Sequence, residues 1–180
     1  MSHRPYGQIA QLGYVVEDIE DGIRHWSDAL GVGPWTLLRN VTIEGVSKGE
    51  PTVVTMDVAL GYQGEIQIEL IQQTSPTPSP YRGPDGVAVV GAHHVAWLTE
   101  DLDESVRRAE TDGCTTIFRA ENPGSRVAYL TLPGEEGARI EFIESAAAAD
   151  MIRVGIAASK DWDGRDPVQE IDFAATIAPA

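Results

Sequence analysis

The fold is decided by the stretch Gln11-Leu-Gly-Tyr-Val-Val-Glu-Asp-Ile-Glu-Asp-Gly-Ile-Arg24 and by its copy, His94-Val-Ala-Trp-Leu-Thr-Glu-Asp-Leu-Asp-Glu-Ser-Val-Arg107. The two stretches align without a gap at an offset of 83 positions. A repeat of this length indicates two copies of one supersecondary unit. The positions that are identical in both copies are Glu17 and Glu100, Asp18 and Asp101, and Arg24 and Arg107.

The pattern within each copy predicts a strand followed by a helix and three further strands. A run of β-branched and aromatic residues opens each copy and is typical of a strand. After Asp18 and Asp101, apolar residues recur at helical spacing. Alternating apolar runs follow. We therefore predict strands at about 9–16, 35–43, 52–60, 65–72, 94–99, 115–118, 126–132 and 138–143.

This order predicts an α+β fold of two tandem βαβββ modules, with a curved, mostly antiparallel sheet around a cleft and the helices outside. Residues 1–180 then form a single domain with module one at 8–72, a linker at 73–92, module two at 93–145 and a helical C-terminal tail at 146–180. The linker is rich in Pro, Gly, Ser and Thr. The sequence leaves open whether the modules pair within one chain or exchange between chains.

The charge balance excludes some classes of partner. The chain has 28 acidic against 13 basic residues and a net charge of −15, so it does not match a nucleic-acid-binding or membrane-surface protein. Its one cysteine, Cys114, cannot form an internal disulfide. The N-terminus has no apolar signal region, and no run of residues is apolar enough to span a membrane. We therefore expect a cytoplasmic protein.

Four residues with metal-binding side chains occupy equivalent positions in the repeat. Gln11 and His94 share one position of the opening strands, and Glu69 and Glu141 share one position of the closing strands. Because side chains alternate across a strand, all four point away from the apolar face. A solvent-facing strand would show the same alternation. The repeat favours a site for a divalent cation such as Zn, Ni, Co, Mn or Fe(II).

These residues resemble the vicinal oxygen chelate superfamily, also called the glyoxalase/bleomycin-resistance/dioxygenase superfamily. The resemblance spans about 8–144 and includes the Ala29-Leu-Gly31 helix end and the His93-His94-Val-Ala-Trp opening of module two. It implies Gln11, Glu69, His94 and Glu141 as the metal ligands. This ligand set is similar to that of zinc-type glyoxalase I. The short second-module helix, the Ile68-Glu-Leu-Ile-Gln72 strand and the Trp162-Asp-Gly-Arg-Asp-Pro-Val168 tail look more like the methylmalonyl-CoA epimerase-like branch. An extradiol dioxygenase would require a second histidine ligand.

The resemblance implies a metal-dependent isomerase, epimerase or lyase that abstracts a proton alpha to a carbonyl through a metal-stabilised enolate. Glu141 and Glu69 are then the candidate catalytic bases, and the resemblance slightly favours Glu141. The resemblance also implies a homodimer. Two alternatives remain open. The first is a non-catalytic protein of the same fold that sequesters a hydrophobic or aromatic molecule. The second is a non-catalytic partner subunit that uses the tail as its interface.

Aromatic residues near the expected cleft suggest a substrate pocket for a carbonyl, thioester or aromatic molecule. Each of these residues would fit equally well into an ordinary core. The candidate pocket residues are Trp35, Tyr62, Tyr81, Phe118 and Tyr129.

Overall fold

A computed structural model, which describes residues 5–165 and 167–173, has the expected α+β architecture. No helix among the described residues has the length and apolar character needed to cross a membrane. The elements are β1 (Gln11–Val15), α1 (Ile19–Leu30), β2 (Trp35–Ser47), β3 (Glu50–Gln63), β4 (Ile66–Gln73), β5 (Gly91–Leu98), α2 (Leu102–Thr111), β6 (Thr115–Asn122), β7 (Ser125–Leu132), β8 (Glu135–Glu144), α3 (Ala146–Lys160) and β9 (Val168–Asp172).

The first two helices begin directly after the aspartates that are identical in both copies of the repeat. The Asp18 carboxylate accepts a hydrogen bond from the amide of Asp21, and the Asp101 carboxylate accepts one from the amide of Glu104. Each of these side chains satisfies an N–H group that the first helical turn leaves unpaired. α1 ends at Gly31, whose φ of 67° lies in the left-handed region that favours glycine. The helix of each repeat copy therefore begins with an aspartate N-cap.

One sheet contains both modules within a single chain. Its strand order is β3-β4-β1-β5-β8-β7-β6-β2-β9, and an additional pairing of β3 with β2 closes the first eight strands into a ring. The modules join where β1 pairs antiparallel with β5. In the part of the chain that the structure describes, the two modules therefore pair with each other within one chain.

The register at this junction brings the repeat-related positions together. Gly13 of β1 lies opposite Glu69 on one side and His94 on the other. Ala96 of β5 lies opposite Gln11 on one side and Glu141 on the other. Gly13 and Ala96 are themselves 83 positions apart. Two small residues thus occupy the centres of two equivalent rows of side chains.

Helices α1 and α2 pack with their apolar faces against the outside of the sheet. α1 packs through Ile19 and Ile23, and α2 packs through Leu102 and Val106. A separate cluster of buried residues, which includes Tyr81 and Tyr129, fills part of the inside. The inside of the ring is therefore partly apolar, and the junction of β1 and β5 supplies its polar residues.

The C-terminal segment differs from the helical tail expected over 146–180. Within the described part, α3 ends at Lys160 and β9 then pairs in parallel with the Trp35–Arg39 stretch of β2. The Trp35 amide donates a hydrogen bond of 2.7 Å to the Pro167 carbonyl at the start of this pairing. β9 contains few apolar residues, so its sequence carries little strand signal. Residues 174–180 of the expected tail lie outside the described residues.

Candidate metal centre

The four predicted ligands converge on one point at the junction of the modules. The Nε2 atom of His94 lies 3.2 Å from Oε1 of Gln11, 3.3 Å from Oε2 of Glu69 and 3.1 Å from Oε2 of Glu141. The side chain of His94 is fully buried, and those of Glu69 and Glu141 are 15% and 5% exposed. One nitrogen and three oxygen atoms therefore face one another in a nearly dry environment.

Gly13 makes the room that the His94 ring needs. A Cβ atom placed on Gly13 would lie 1.9 Å from Cε1 of His94, far inside van der Waals contact. Any other residue at this position would push the imidazole away from the three oxygen atoms. The absence of a side chain at Gly13 therefore belongs to the construction of the site.

A neighbouring histidine determines which nitrogen of His94 faces the oxygen atoms. Burial is the largest influence on His93 and lowers its pKa to about 3, so the ring is neutral and carries one N–H group. Nε2 of His93 lies 2.9 Å from the Pro80 carbonyl, which can only accept a hydrogen bond, so the proton is on Nε2. Nδ1 of His93 then accepts a hydrogen bond of 3.0 Å from Nδ1 of His94. Nε2 of His94 is left to face Gln11, Glu69 and Glu141.

A second chain of hydrogen bonds orients the Gln11 amide. The Tyr62 hydroxyl donates to the Met151 carbonyl of α3 at 3.1 Å and accepts from Nε2 of Gln67 at 2.8 Å. Oε1 of Gln67 then accepts from Nε2 of Gln11 at 2.8 Å. Since each donor direction fixes the next, the oxygen atom of Gln11 points toward His94. Both chains of hydrogen bonds end on a backbone carbonyl. One leaves Nε2 of His94 facing the centre, and the other leaves Oε1 of Gln11 facing it.

These four atoms need a positive charge between them. Oε2 of Glu141 is buried and accepts no well-directed hydrogen bond. Burial lowers the pKa of His94, but the adjacent carboxylates of Glu141 and Glu69 outweigh burial and raise the pKa to about 10. A proton on His94 or a bound cation would each supply the missing charge. The arrangement therefore has the chemistry of a cation site.

The spacing of the atoms fits a first-row divalent metal. Metal–ligand bonds of roughly 2.0–2.2 Å place neighbouring ligand atoms about 2.8–3.6 Å apart, with the shorter separations in octahedral and the longer ones in tetrahedral coordination. The 3.1–3.3 Å distances from Nε2 of His94 fall in this range. The ligand-capable atoms of Glu69, His94 and Glu141 all lie within 4.8 Å of one another. One imidazole, two carboxylates and one amide oxygen suit Zn, Ni, Co, Mn or Fe(II).

Two tyrosines form the wall beside Glu141. The Tyr129 hydroxyl lies 3.0 Å from the Tyr81 hydroxyl, and both tyrosines line the cavity with Glu141. Burial raises the pKa of both phenols well above 10. Burial also raises the pKa of Glu141. Both tyrosines therefore remain protonated and can donate hydrogen bonds inside the site.

A cavity of about 270 Å³ opens onto three of the four ligands, Gln11, Glu69 and Glu141. Most of its wall is aliphatic, with contributions from Leu38, Val58 and Leu60 of the sheet. Two of the five predicted pocket residues, Tyr81 and Tyr129, line it. Larger hollows of about 1020 and 980 Å³ adjoin this cavity at Asn122 and contain none of the four ligands. Three of the ligands and the cavity thus meet at the module junction.

The other three predicted pocket residues lie elsewhere. Trp35 and Phe118 are each 1% exposed and pack in the core, with Nε1 of Trp35 donating to the Ser27 hydroxyl. Tyr62 supports Gln67 and α3 from behind the ligands. The reason is strand geometry, because an aromatic residue on a strand points to only one face and periodicity alone did not assign these three faces.

Two residues of the site have roles that the sequence did not predict. His93 holds His94, and Gln67 holds Gln11. Gln67 shares the strand parity of Glu69, so the alternation of β4 could have identified it as inward-facing. No comparable signal identifies His93, since adjacent residues of a regular strand point to opposite faces.

Comparison with known proteins agrees with this geometry. A family model described as the glyoxalase/bleomycin resistance protein/dioxygenase superfamily matches residues 10–129. The chain belongs to this superfamily. A search of curated proteins found no match. The superfamily match includes Gln11, Glu69 and His94, which come from both modules of the chain.

Solved structures share the fold at low sequence identity. A hypothetical protein from Bacillus halodurans C-125 is 22% identical with a TM-score of 0.51, and the alignment covers 76% of this chain and 92% of that one. Methylmalonyl-CoA epimerase from Mycobacterium tuberculosis is 18% identical with a TM-score of 0.52, covering 84% and 96%. A methylmalonyl-CoA epimerase in complex with methylmalonyl-CoA and ammonium is 20% identical with a TM-score of 0.50, covering 78% and 95%.

Proposed function

We propose that this protein is a metal-dependent isomerase, epimerase or lyase that removes a proton from the carbon next to a carbonyl group. The observation that carries the proposal is the meeting of Gln11, Glu69, His94 and Glu141 around one point in a buried cavity. The arrangement combines a place for a divalent cation with carboxylates that can accept a proton. When bound, the cation would stabilise the negative charge that develops on the carbonyl oxygen.

The protein's own residues would perform the proton transfer. Glu141 is the better-placed base because it is more deeply buried than Glu69, and a carboxylate removed from water holds a proton more strongly. Tyr129 lines the cavity with Glu141, and its protonated hydroxyl can donate a hydrogen bond there. Glu69 approaches from the other row of the junction. Two carboxylates on different sides would allow one to remove a proton and the other to return it.

The first test measures whether the chain holds a metal ion. We expect near-stoichiometric Zn, Ni, Co, Mn or Fe(II) in the purified protein by mass spectrometry. Gly13→Ala keeps every ligand but displaces His94, so it should lose the metal. Gly137→Ala is the matched control because a Cβ atom there meets nothing within 4 Å. Equal metal content in the two variants, or no metal even after reconstitution, would refute the metal site.

The second test measures proton abstraction directly. We expect the metal-loaded protein to exchange the α-protons of a small carbonyl probe, such as 2-hydroxyacetophenone, for deuterium in D₂O, followed by NMR. Glu141→Gln should slow the exchange by about 100-fold or more, as expected for loss of a general base. If the metal-loaded protein exchanges no proton of any carbonyl or thioester tested yet binds an apolar probe, the sequestering alternative replaces the enzyme. The largely aliphatic cavity is the feature that favours this alternative.

A further inference from the structure

Helix α3 forms one wall of the cavity that contains the ligands. Ala148, Met151 and Ile152 of α3 line this cavity, together with Phe173 beyond the helix. Ile152 is buried in this position. The described C-terminal segment therefore covers the mouth of the site with apolar side chains.

The covering helix is fitted closely to the sheet. The Met151 carbonyl accepts the hydrogen bond of the Tyr62 hydroxyl. A Cβ atom on Gly155 would lie 2.0 Å from Cζ of Tyr62, so only a glycine allows this approach. Glycine in the middle of a helix is about 1 kcal/mol less favourable than alanine, and here it permits the close contact. The covering position of α3 is thus built into the sequence.

The cavity is small, and none of its described lining residues is lysine or arginine. Its volume of about 270 Å³ lies just below the roughly 300–1,000 Å³ typical of ligand pockets. Among its described lining residues, the only carboxylates are Glu69 and Glu141. Arg119 and Arg126 line a neighbouring surface hollow, but both form ion pairs with Asp103. A phosphate-bearing ligand would have to break these pairs to find a cationic partner.

We propose that the substrate is a compact, uncharged and largely apolar carbonyl compound that binds beneath α3. This inference rests on the proposed function and adds its substrate class. A nucleotide-bearing thioester does not match the described cavity, because its diphosphate would find no lysine or arginine among the described lining residues. The site therefore selects a different kind of molecule from the CoA thioester bound by the epimerase in the solved complex.

The experiment compares two probes and two matched variants. Binding of 2-hydroxyacetophenone and of propionyl-CoA to the full chain is followed by NMR titration. Ala148→Trp fills the cavity, whereas Ala158→Trp places the same side chain on the exposed face of α3. We expect 2-hydroxyacetophenone to bind at least tenfold more tightly than propionyl-CoA. We also expect Ala148→Trp to weaken this binding at least tenfold, while Ala158→Trp leaves it unchanged.

Two controls keep the outcomes separable. Ala148→Leu makes a smaller intrusion and should weaken binding less than the tryptophan, which guards against misfolding as the cause. All titrations are made with zinc-loaded and metal-free protein. Absence of metal binding or of proton exchange would refute the proposed function. The comparison of the two probes and of the variants would still measure which class of molecule the cavity binds. Equal or tighter binding of propionyl-CoA, or unchanged binding by Ala148→Trp, would overturn the substrate class.

Discussion

In the His94 ring, Nδ1 donates a hydrogen bond to His93 and Nε2 faces the candidate metal centre. The neighbouring His93 side chain determines this division. The Pro80 carbonyl fixes the proton of His93, and His93 in turn accepts the Nδ1 proton of His94. Such supporting contacts commonly determine metal affinity because they fix the tautomer and orientation of the ligand. The backbone carbonyl of Pro80 therefore acts on the site through two imidazole rings.

This relay predicts the effect of replacing His93. His93→Phe removes the acceptor for the Nδ1 proton of His94 and leaves a buried donor unpaired, at a cost of roughly 1–3 kcal/mol. We expect zinc affinity, measured by competition with a chelating dye, to fall about 10–100-fold. Long-range ¹H–¹⁵N NMR of the ring should show a mixture of His94 tautomers in the zinc-loaded variant. His93→Gln retains an acceptor oxygen and should lose less.

A surface histidine provides the matched control for this prediction. His25 is exposed on α1, and His25→Phe makes the same chemical change away from the site. It should leave both the zinc affinity and the His94 spectrum unchanged. Unaltered zinc affinity in His93→Phe would show that His93 only fills space.

At the residue scale, the sequence predicted which side chains meet but not what supports them. The 83-position offset and the alternation of strand residues were enough to select Gln11 and His94 together. The same offset also relates Gly13 to Ala96, and two small residues at equivalent positions could have indicated crowding beside the ligands. The hydrogen bond of His93 to Pro80 depends on the path of the linker, which periodicity does not specify.

At the scale of elements, the covering helix depends on one close contact. Gly155→Ala adds a methyl group 2.0 Å from Cζ of Tyr62. Overpacking of this kind costs about 1–3 kcal/mol, whereas the better helix propensity of alanine returns about 1 kcal/mol. We expect the steric cost to exceed the gain, so urea unfolding should show a net loss in the free energy of unfolding.

The same substitution in a second background separates the two contributions. In a Tyr62→Leu protein the ring is gone, so Gly155→Ala should become neutral or stabilising by up to about 1 kcal/mol. The difference between the two backgrounds measures the contact between α3 and β3. Stabilisation of the parent protein by Gly155→Ala would contradict a close docking of α3.

The elements themselves were predicted to different extents for physical reasons. Helix starts at Asp18 and Asp101 carry a local signal, since a capping carboxylate acts within one turn. The long hairpin of β2 and β3 extends to its turn at Lys48 and Gly49, beyond the strands predicted from apolar alternation. These outer stretches are held by backbone pairing rather than by buried side chains, so periodicity cannot locate their ends.

At the scale of the whole molecule, the candidate metal centre joins the two halves of the chain. Gln11 and Glu69 come from module one, and His94 and Glu141 come from module two, on four adjacent strands. An ion held by all four would connect the modules across the β1–β5 junction. Because both modules share one sheet, we expect thermal unfolding as a single transition.

Metal binding should therefore raise the melting temperature of the entire chain. A ligand present at 100 times its dissociation constant stabilises the folded state by about 2.7 kcal/mol. For a domain of this size, that corresponds to about 5–10 °C. We expect calorimetry to show this shift when zinc is added to chelator-treated protein, and to show it lost again with excess chelator.

The acidic composition makes the choice of control decisive. With a net charge of −15, any divalent cation would reduce charge repulsion in the folded state. Mg²⁺ at the same concentration measures this general effect, because it prefers an all-oxygen shell and keeps its waters. Gly13→Ala retains the charge but displaces His94, so zinc should raise its melting temperature no more than Mg²⁺ does. An equal zinc-induced shift in the parent and Gly13→Ala proteins would assign the stabilisation to surface charge and remove the junction site as its cause.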